Sequence, residues 1–289
     1  MKEKVGFVGL GIMGRPMAEN LSRGYEVLGF DLDSSRFQGI SSVGKGASVA
    51  EVAKACRTVC LSLPNASIVE QVATGDHGLA ANLAPGSLVV DLSTSLPSVS
   101  RRIAKKLLER GIEFVDAPVS GGEGGAKTAT LAIMLGGTEK NFERAKPMLL
   151  QMGKTAVRVG DVGAGGIAKL VNNMIVGSTF AVIAEGFFLA AENGVDLGLL
   201  YNSIREGWAG SKVLDVSAGA MIARDYTPGG TIDMLEKDLG YARAVAAESH
   251  VPVPMTSLAH ELYVAGQASG RGKEAQPALI ELWRALGGK

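Results

Sequence analysis

The chain has 289 residues, with 29 basic and 29 acidic side chains and a formal charge of zero. That length suggests two domains of ordinary size, and a hydrophobic content of 46% is enough for sizeable cores. No run of Lys or Arg makes a phosphate-binding stripe, which argues against nucleic acid as a partner, and near-neutrality favours self-association over colloidal repulsion.

The N-terminus enters an apolar strand almost at once and lacks the basic, apolar and cleavage regions of a secretory signal, so a cytoplasmic protein is expected. Short apolar runs at 5–10, 26–31, 58–63, 87–92, 113–117, 131–135 and 156–159 read as strands. Between them lie helical stretches such as 13–23 and 98–110, each followed by a glycine (Gly24, Gly111), the residue that commonly ends a helix with positive φ. This alternation predicts an α/β fold: a doubly wound, Rossmann-type domain over residues 1–162 with a parallel sheet between helices. Cys56 and Cys60 lie four apart with no histidine nearby, a poor zinc site, and read as reduced structural thiols.

After Val162 the pattern changes. Gly163, Gly165 and Gly166 open a helical stretch that runs to about Asn193 and stops at Gly194. Residues 163–289 then read as an all-α domain begun by one long helix. Its segment 174–191 approaches the length of a membrane span, but Glu185 interrupts it and Gly177, Ser178 and Thr179 dilute its hydrophobicity. Burial between domains or subunits is the expected account, with no membrane role. His77, His250 and His260 are scattered, and no metal is expected.

The chemistry begins at Gly9-Leu10-Gly11-Ile12-Met13-Gly14, between the first strand and the first helix. The first glycine permits the turn, the second lets a pyrophosphate approach the backbone, and the third allows close helix–sheet packing. The helix N-terminus then offers its N–H groups to the phosphates. Asp31 ends the second strand twenty residues after Gly11, placed for the adenosine ribose hydroxyls. Its carboxylate repels a 2′-phosphate and Leu32 supplies no guanidinium, so NAD is expected rather than NADP.

Four segments taken together make the chain resemble the β-hydroxyacid dehydrogenase family, which includes 3-hydroxyisobutyrate dehydrogenases and tartronate semialdehyde reductases. They are residues 9–21 (GLGIMGRPMAENL), 116–122 (DAPVSGG), 163–173 (GAGGIAKLVNN) and Lys237-Asp238-Leu239. The similarity runs over nearly the whole chain. It implies hydride transfer between NAD(H) and a small 3-hydroxy acid or its semialdehyde. Lys169 matches the family's proton-transfer lysine, and Asn173, one helical turn on, matches an asparagine that positions substrate. Such a lysine needs its pKa lowered from about 10.4 toward neutrality. Ser120, Gly121 and Gly122 match the stretch that holds the substrate carboxylate, and a hydroxyl with two unobstructed glycine amides suits an anion.

Leu63, Pro64 and Thr94 match loops along the cofactor, Thr94 also bordering the substrate, and Lys237 matches a lysine that contacts the cofactor. Asp238 beside it reads either as that lysine's orienting group or as a helix-surface charge. The resemblance also implies a homodimer or homotetramer.

Two positions depart from the family pattern. Ala129 stands before Thr130-Leu131 where many relatives have glycine, and Gly230, in Thr227-Pro228-Gly229-Gly230-Thr231, stands where several carry an aromatic residue. The second suggests a roomier or differently closed pocket and a larger substrate, such as threonate or 2-(hydroxymethyl)glutarate; tartronate semialdehyde is a further alternative. The chain is too short for a decarboxylating 6-phosphogluconate dehydrogenase, and Lys169 argues against an imine reductase. A non-catalytic dinucleotide-binding scaffold needs neither the lysine nor the carboxylate turn.

Overall fold

The computed structural model describes residues 2–227 and 229–287. They fall into two compact units, Met1–Lys169 and Leu170–Lys289, so the division lies inside the long helix.

In the first unit the order is β1 (Lys4–Val8), α1 (Gly14–Leu21), β2 (Glu26–Phe30), β3 (Val43–Lys45), α2 (Val49–Ala55), β4 (Thr58–Leu61), α3 (Ala66–Thr74), α4 (Leu79–Asn82), β5 (Leu88–Asp91) and α5 (Pro97–Leu108). There follow β6 (Glu113–Asp116), β7 (Val119–Ser120), α6 (Gly122–Thr128), β8 (Leu131–Gly136), α7 (Glu139–Leu149) and β9 (Gly153–Gly160). Its strands are hydrogen-bonded into one sheet in the order β3-β2-β1-β4-β5-β6-β8-β7, with β9 on β8.

The six strands from β3 to β6 run parallel, as the alternation predicts. Beyond them the direction changes, because β8 pairs antiparallel with both β6 and β7. The connection from β6 through β7 and the seven-residue α6 is a tight return rather than a right-handed crossover, and so reverses the direction. β4 and β5 are buried along their whole length, as strands covered on both faces must be. Strands β3 and β7 escaped the sequence reading: at three and two residues they carry too little periodicity.

Helix α5 packs Val99, Ile103 and Leu107 at fourfold spacing, and Gly111 after it takes φ +68°. Gly24 does not adopt left-handed backbone; the turn after α1 closes without it, against the Gln151 side chain.

Helix α8 (Ala164–Glu192) carries the chain into the second unit, followed by α9 (Leu197–Ile204), α10 (Lys212–Ala223), α11 (Ile232–Glu248), α12 (Pro254–Ala268) and α13 (Ile280–Gly287). No strand is assigned among the described residues of this unit. Phe180, Ala184 and Phe187 of α8 enter its core with Leu214, Leu239 and Tyr263. Gly177 gives α11 room: a Cβ there would lie 3.1 Å from Leu239, and the Tyr263 hydroxyl donates to the Gly177 carbonyl.

The opposite face of α8 stays uncovered. Val171, Ile175, Val182 and Leu189 form one stripe, and the last three are 64%, 62% and 64% exposed. The expected burial of this segment is thus only half met within one chain.

Candidate functional site

The parallel strands β1, β2, β4, β5 and β6 direct their carboxyl ends to one edge of the sheet, where open α/β folds place ligands. Gly9, at φ +94°, turns the chain out of β1, and a Cβ on it would lie 2.2 Å from the Ser62 carbonyl. At Gly14 a Cβ would lie 1.9 Å from the Gly9 carbonyl, so this glycine is fixed by packing. Around Gly11 there is no atom within 4 Å of a Cβ position, and Ile12 beside it is exposed. Met13, ahead of α1, offers no side-chain cap to the first-turn amides.

Asp31 closes this loop. One carboxylate oxygen accepts the Leu10 amide at 2.7 Å and the other the Asp33 amide at 2.8 Å. Carboxylate oxygens have lone pairs beyond one bond each, so hydroxyls can still donate to this group. Leu32 is 95% exposed.

A cavity of about 460 Å3 lies beside the loop, bordered by Gly11, Ile12, Arg15, Ser35 and Arg36. The two guanidiniums escaped the sequence reading because their helical turns, not their spacing, bring them there. Each faces a carboxylate: Arg36 is 3.3 Å from Asp33 and Arg15 is 3.6 Å from Glu19. Their charge is met within the protein, and Asp31 keeps the loop acidic. A glycine cradle with open space and an acidic strand end fits an unphosphorylated adenosine ribose.

The next two loops are tied together by groups that the motifs did not reveal. Asp91, buried at the end of β5, accepts the Ser93 amide at 3.0 Å and the Ser95 hydroxyl at 3.1 Å. Ser93 Oγ in turn accepts the Leu63 amide at 2.9 Å. One carboxylate thereby shapes the half-buried turn around Thr94 and reaches the Leu63-Pro64 segment after β4. An aspartate at a strand end with serines two and four residues on is the available signal; only the sheet register shows that it serves two loops.

Ser120 ends β7, and Gly121 and Gly122 follow with φ +136° and +60° in an exposed turn. A Cβ at Gly122 would meet nothing within 4 Å, so the space beside that amide is open. Asp116, four residues before Ser120, is buried at the end of β6. Its two oxygens accept the amides of Gly163 and Gly166, both at 2.7 Å, at the start of α8. Burial pushes the Asp116 carboxyl up to about 7, against the lowering effect of these amides, and neighbouring Asp91 adds to the rise. Lys169, half-buried, follows Gly166 by three residues.

Asn173 and Lys237 lie in the second unit. Asn173 Nδ2 donates to Asp238 Oδ2 at 2.6 Å, and Asn172 Nδ2 donates to Asn173 Oδ1 at 2.9 Å. Lys237 Nζ stands 3.0 Å from the other Asp238 oxygen, an ion pair without hydrogen-bond alignment, and 5.2 Å from the Tyr241 ring centroid. Asp238 is buried, so its reading as a helix-surface charge is set aside.

At Gly230 a Cβ would lie 2.6 Å from the Gln276 amide nitrogen, so that place is filled by another side chain rather than vacant. Pro228, in the same segment, lies outside the described residues. Both cysteines are free and buried; burial pushes the Cys56 thiol up to about 11 and Cys60 higher still, which leaves them inert.

Residues 4–160 match the family described as the NAD binding domain of 6-phosphogluconate dehydrogenase, and residues 163–283 match the NAD-binding domain of NADP-dependent 3-hydroxyisobutyrate dehydrogenase. A 2-(hydroxymethyl)glutarate dehydrogenase of Eubacterium barkeri is 38% identical over 99% of this chain and 96% of its own. The chain belongs to the β-hydroxyacid dehydrogenase family. Another member, the 2-hydroxy-3-oxopropionate reductase of Escherichia coli, is 35% identical over 96% of both chains. The crystal structure of a 3-hydroxyisobutyrate dehydrogenase from Salmonella typhimurium matches this β-hydroxyacid dehydrogenase family member with a TM-score of 0.89. Its identity is 31%, over 97% of this chain and 99% of that one. The family architecture, a Rossmann-type domain followed by an all-helical one opened by a long helix, is the one seen here, and NAD is the cofactor that the first domain fits.

Proposed function

We propose that the protein transfers a hydride between NAD(H) and a small 3-hydroxy acid or its semialdehyde, with Lys169 as general acid/base. The observation that carries this reading is the junction in the first unit where one strand end leads both to the Ser120-Gly121-Gly122 turn and, through Asp116, to the helix start that precedes Lys169.

NAD, when bound, supplies the hydride acceptor, and NADH the donor. Gly9 to Gly14 and Asp31 hold the dinucleotide, with Leu63, Pro64 and Thr94 along its length and Lys237 as a further contact. Ser120 and the Gly121 and Gly122 amides hold the substrate carboxylate. Neutral Lys169 takes the proton of the C3 hydroxyl in oxidation, and its ammonium returns one to the carbonyl oxygen in reduction. Asn173, its amide donated to Asp238, orients the reacting end. Fixing both ends of a short acid in register supplies much of the rate through orientation.

Within the class, the likeness to the 2-(hydroxymethyl)glutarate enzyme favours an acid larger than 3-hydroxyisobutyrate. As a functional division, a boundary at 162/163 is proposed, at the Gly163 that precedes α8. A soluble, cytoplasmic protein is proposed, and the uncovered stripe of α8 supports its assembly as a homodimer or homotetramer with the stripe buried between subunits.

The test is an NAD(H)-linked absorbance assay of wild type and Lys169→Ala. The panel holds 3-hydroxyisobutyrate, glycerate, threonate, 2-(hydroxymethyl)glutarate and serine, with semialdehydes in the reverse direction. Turnover of one member that falls by about a hundredfold or more in the variant is expected. No turnover of any member, with NADH bound, sinks the reading.

A further inference from the structure

We infer that Asp116 is a positioning residue for the reaction: it sets the rotation and axial place of the start of α8, residues 164–169, and so the place of Lys169 relative to the Ser120-Gly121-Gly122 turn. The inference rests on the reading of Lys169 as acid/base given above.

The geometry is that of a helix cap supplied from a distant strand. A helix start leaves its first N–H groups without intrahelical partners, and a side chain just before the helix commonly takes one of them. Here Gly163 precedes the helix and has no side chain to offer. Asp116 supplies the acceptor instead, from 47 residues away for Gly163 and 50 for Gly166. The Ile167 amide reaches back to the Gly163 carbonyl, so the carboxylate spans the first turn from its beginning to its third residue. One bond would leave the first turn of α8 free to pivot. Two bonds from the rigid fork of one carboxylate fix its rotation as well as its depth.

The surroundings are built for this contact. A Cβ at Gly165 would lie 2.4 Å from the Met134 carbonyl and 2.6 Å from the carbonyl of Asp116 itself. At Gly136, the register partner of Asp116 on β8, a Cβ would lie 2.5 Å from an Asp116 carboxylate oxygen. The first turn of α8 therefore sits directly on the backbone of β6 and β8, with no side chain between to act as a cushion.

Lys169 follows Gly166 at i+3, which puts the two on one face of the helix. That face meets the end of the Thr94 turn: a Cβ at Gly166 would lie 3.3 Å from the Ser95 carbonyl. Meanwhile the chain leaving Asp116 reaches Ser120 in four residues, held to β8 by the Met134 amide on the Pro118 carbonyl. One side chain thus joins the elements that carry the anion-binding turn and the proton-transfer lysine. A lysine amine roughly 8 Å from the helix axis moves by about 1.4 Å for every 10° of helix rotation, and misplacement of about 1 Å can cost on the order of a hundredfold in rate.

The test is a double-mutant cycle of Asp116→Asn and Lys169→Ala, read by kcat on the substrate that the panel identifies, NADH binding by fluorescence and thermal melting. Asparagine keeps the shape but offers one acceptor oxygen and sets an NH2 group against the other amide. Expected is a fall in kcat of about tenfold or more, NADH affinity within about twofold of wild type, and no further fall when Asp116→Asn is added to Lys169→Ala. A kcat within twofold of wild type overturns the inference. An equal fall in both backgrounds overturns it too, because it marks a merely structural group. If Lys169→Ala leaves turnover intact, the acid/base reading fails first and takes this inference with it. Should Asp116→Asn not fold, Gly166→Ala replaces it in the same cycle: a severalfold loss confined to the Lys169 background supports the clamp, and unchanged kcat overturns it.

Discussion

Asp91 and Asp116 are register partners on the adjacent strands β5 and β6, both buried, and they bind different segments. Asp91 takes the Ser93 amide and Ser95 hydroxyl of its own loop, whereas Asp116 takes two amides of α8. Two carboxyl groups this close in a buried sheet edge make ionisation of the second one unfavourable.

That arrangement gives a pH dependence of defined sign. The Asp116 carboxyl is raised from 3.8 to about 7, so the folded protein holds a proton that the unfolded chain has lost between these values. Stability from this group is full below about pH 4 and falls as pH rises to about 7, by up to about 4 kcal/mol. Besides Asp91 on β5, the charges near the helix start are Arg101 of α5, whose guanidinium lies by Gly163, and Asp161, which is paired with Arg158. Urea unfolding at pH 5 and pH 7.5 should show a smaller difference in Asp116→Asn than in wild type. An equal difference in both proteins rules this origin out.

Ala129 occupies left-handed backbone, φ +56° and ψ +37°, at the end of α6. An L side chain in this backbone conformation is strained by roughly 1 kcal/mol. Ala129→Gly should raise the unfolding free energy by about 0.5–1 kcal/mol, offset in part by the greater freedom of the unfolded chain. Denaturant titration checks it, and a destabilised variant counts against the strain.

The glycine loop separates folding from binding. Gly14→Ala sets a methyl 1.9 Å from the Gly9 carbonyl and should lower the melting temperature. Gly11→Ala meets open space, so it should fold like wild type yet bind NADH about tenfold or more weakly, because the pyrophosphate needs that approach. Melting curves and NADH fluorescence on both variants distinguish the two; NADH affinity unchanged in Gly11→Ala would remove the loop from the cofactor site.

Asp31 braces the loop through the Leu10 amide and repels a 2′-phosphate. Asp31→Asn should weaken NADH by about tenfold and shift the ratio of kcat/KM values toward NADPH. If the ratio does not move, Arg36 and Arg15, not Asp31, set the choice.

The exposed stripe of α8 should be covered in solution. Val182→Glu places a charge at its centre and should lower the mass seen by light scattering at micromolar concentration, where wild type should be dimeric or tetrameric. A monomeric wild type ends that proposal.

The parallel core, the glycine loop with Asp31 and the long helix were legible in the sequence because each is local. Strand runs, the spacing of Gly9, Gly11 and Gly14, and a helix between Gly163 and Gly194 are fixed by sterics and periodicity within a few dozen residues. Lys169, Asn173 and the Ser120-Gly121-Gly122 turn were singled out through the family resemblance of their motifs, and their roles are those proposed above. What tertiary structure alone decided lies between distant segments. The antiparallel turn of β8, the cap that Asp116 gives across 47 residues, the reach of Asp91 through Ser93 to Leu63, the burial of Asp238 under Asn173 and the filling of the Gly230 site by Gln276 have no local signature. A buried carboxylate finds its partners through sheet register and helix placement, and these follow from the packing of the whole domain, not from the residues beside it.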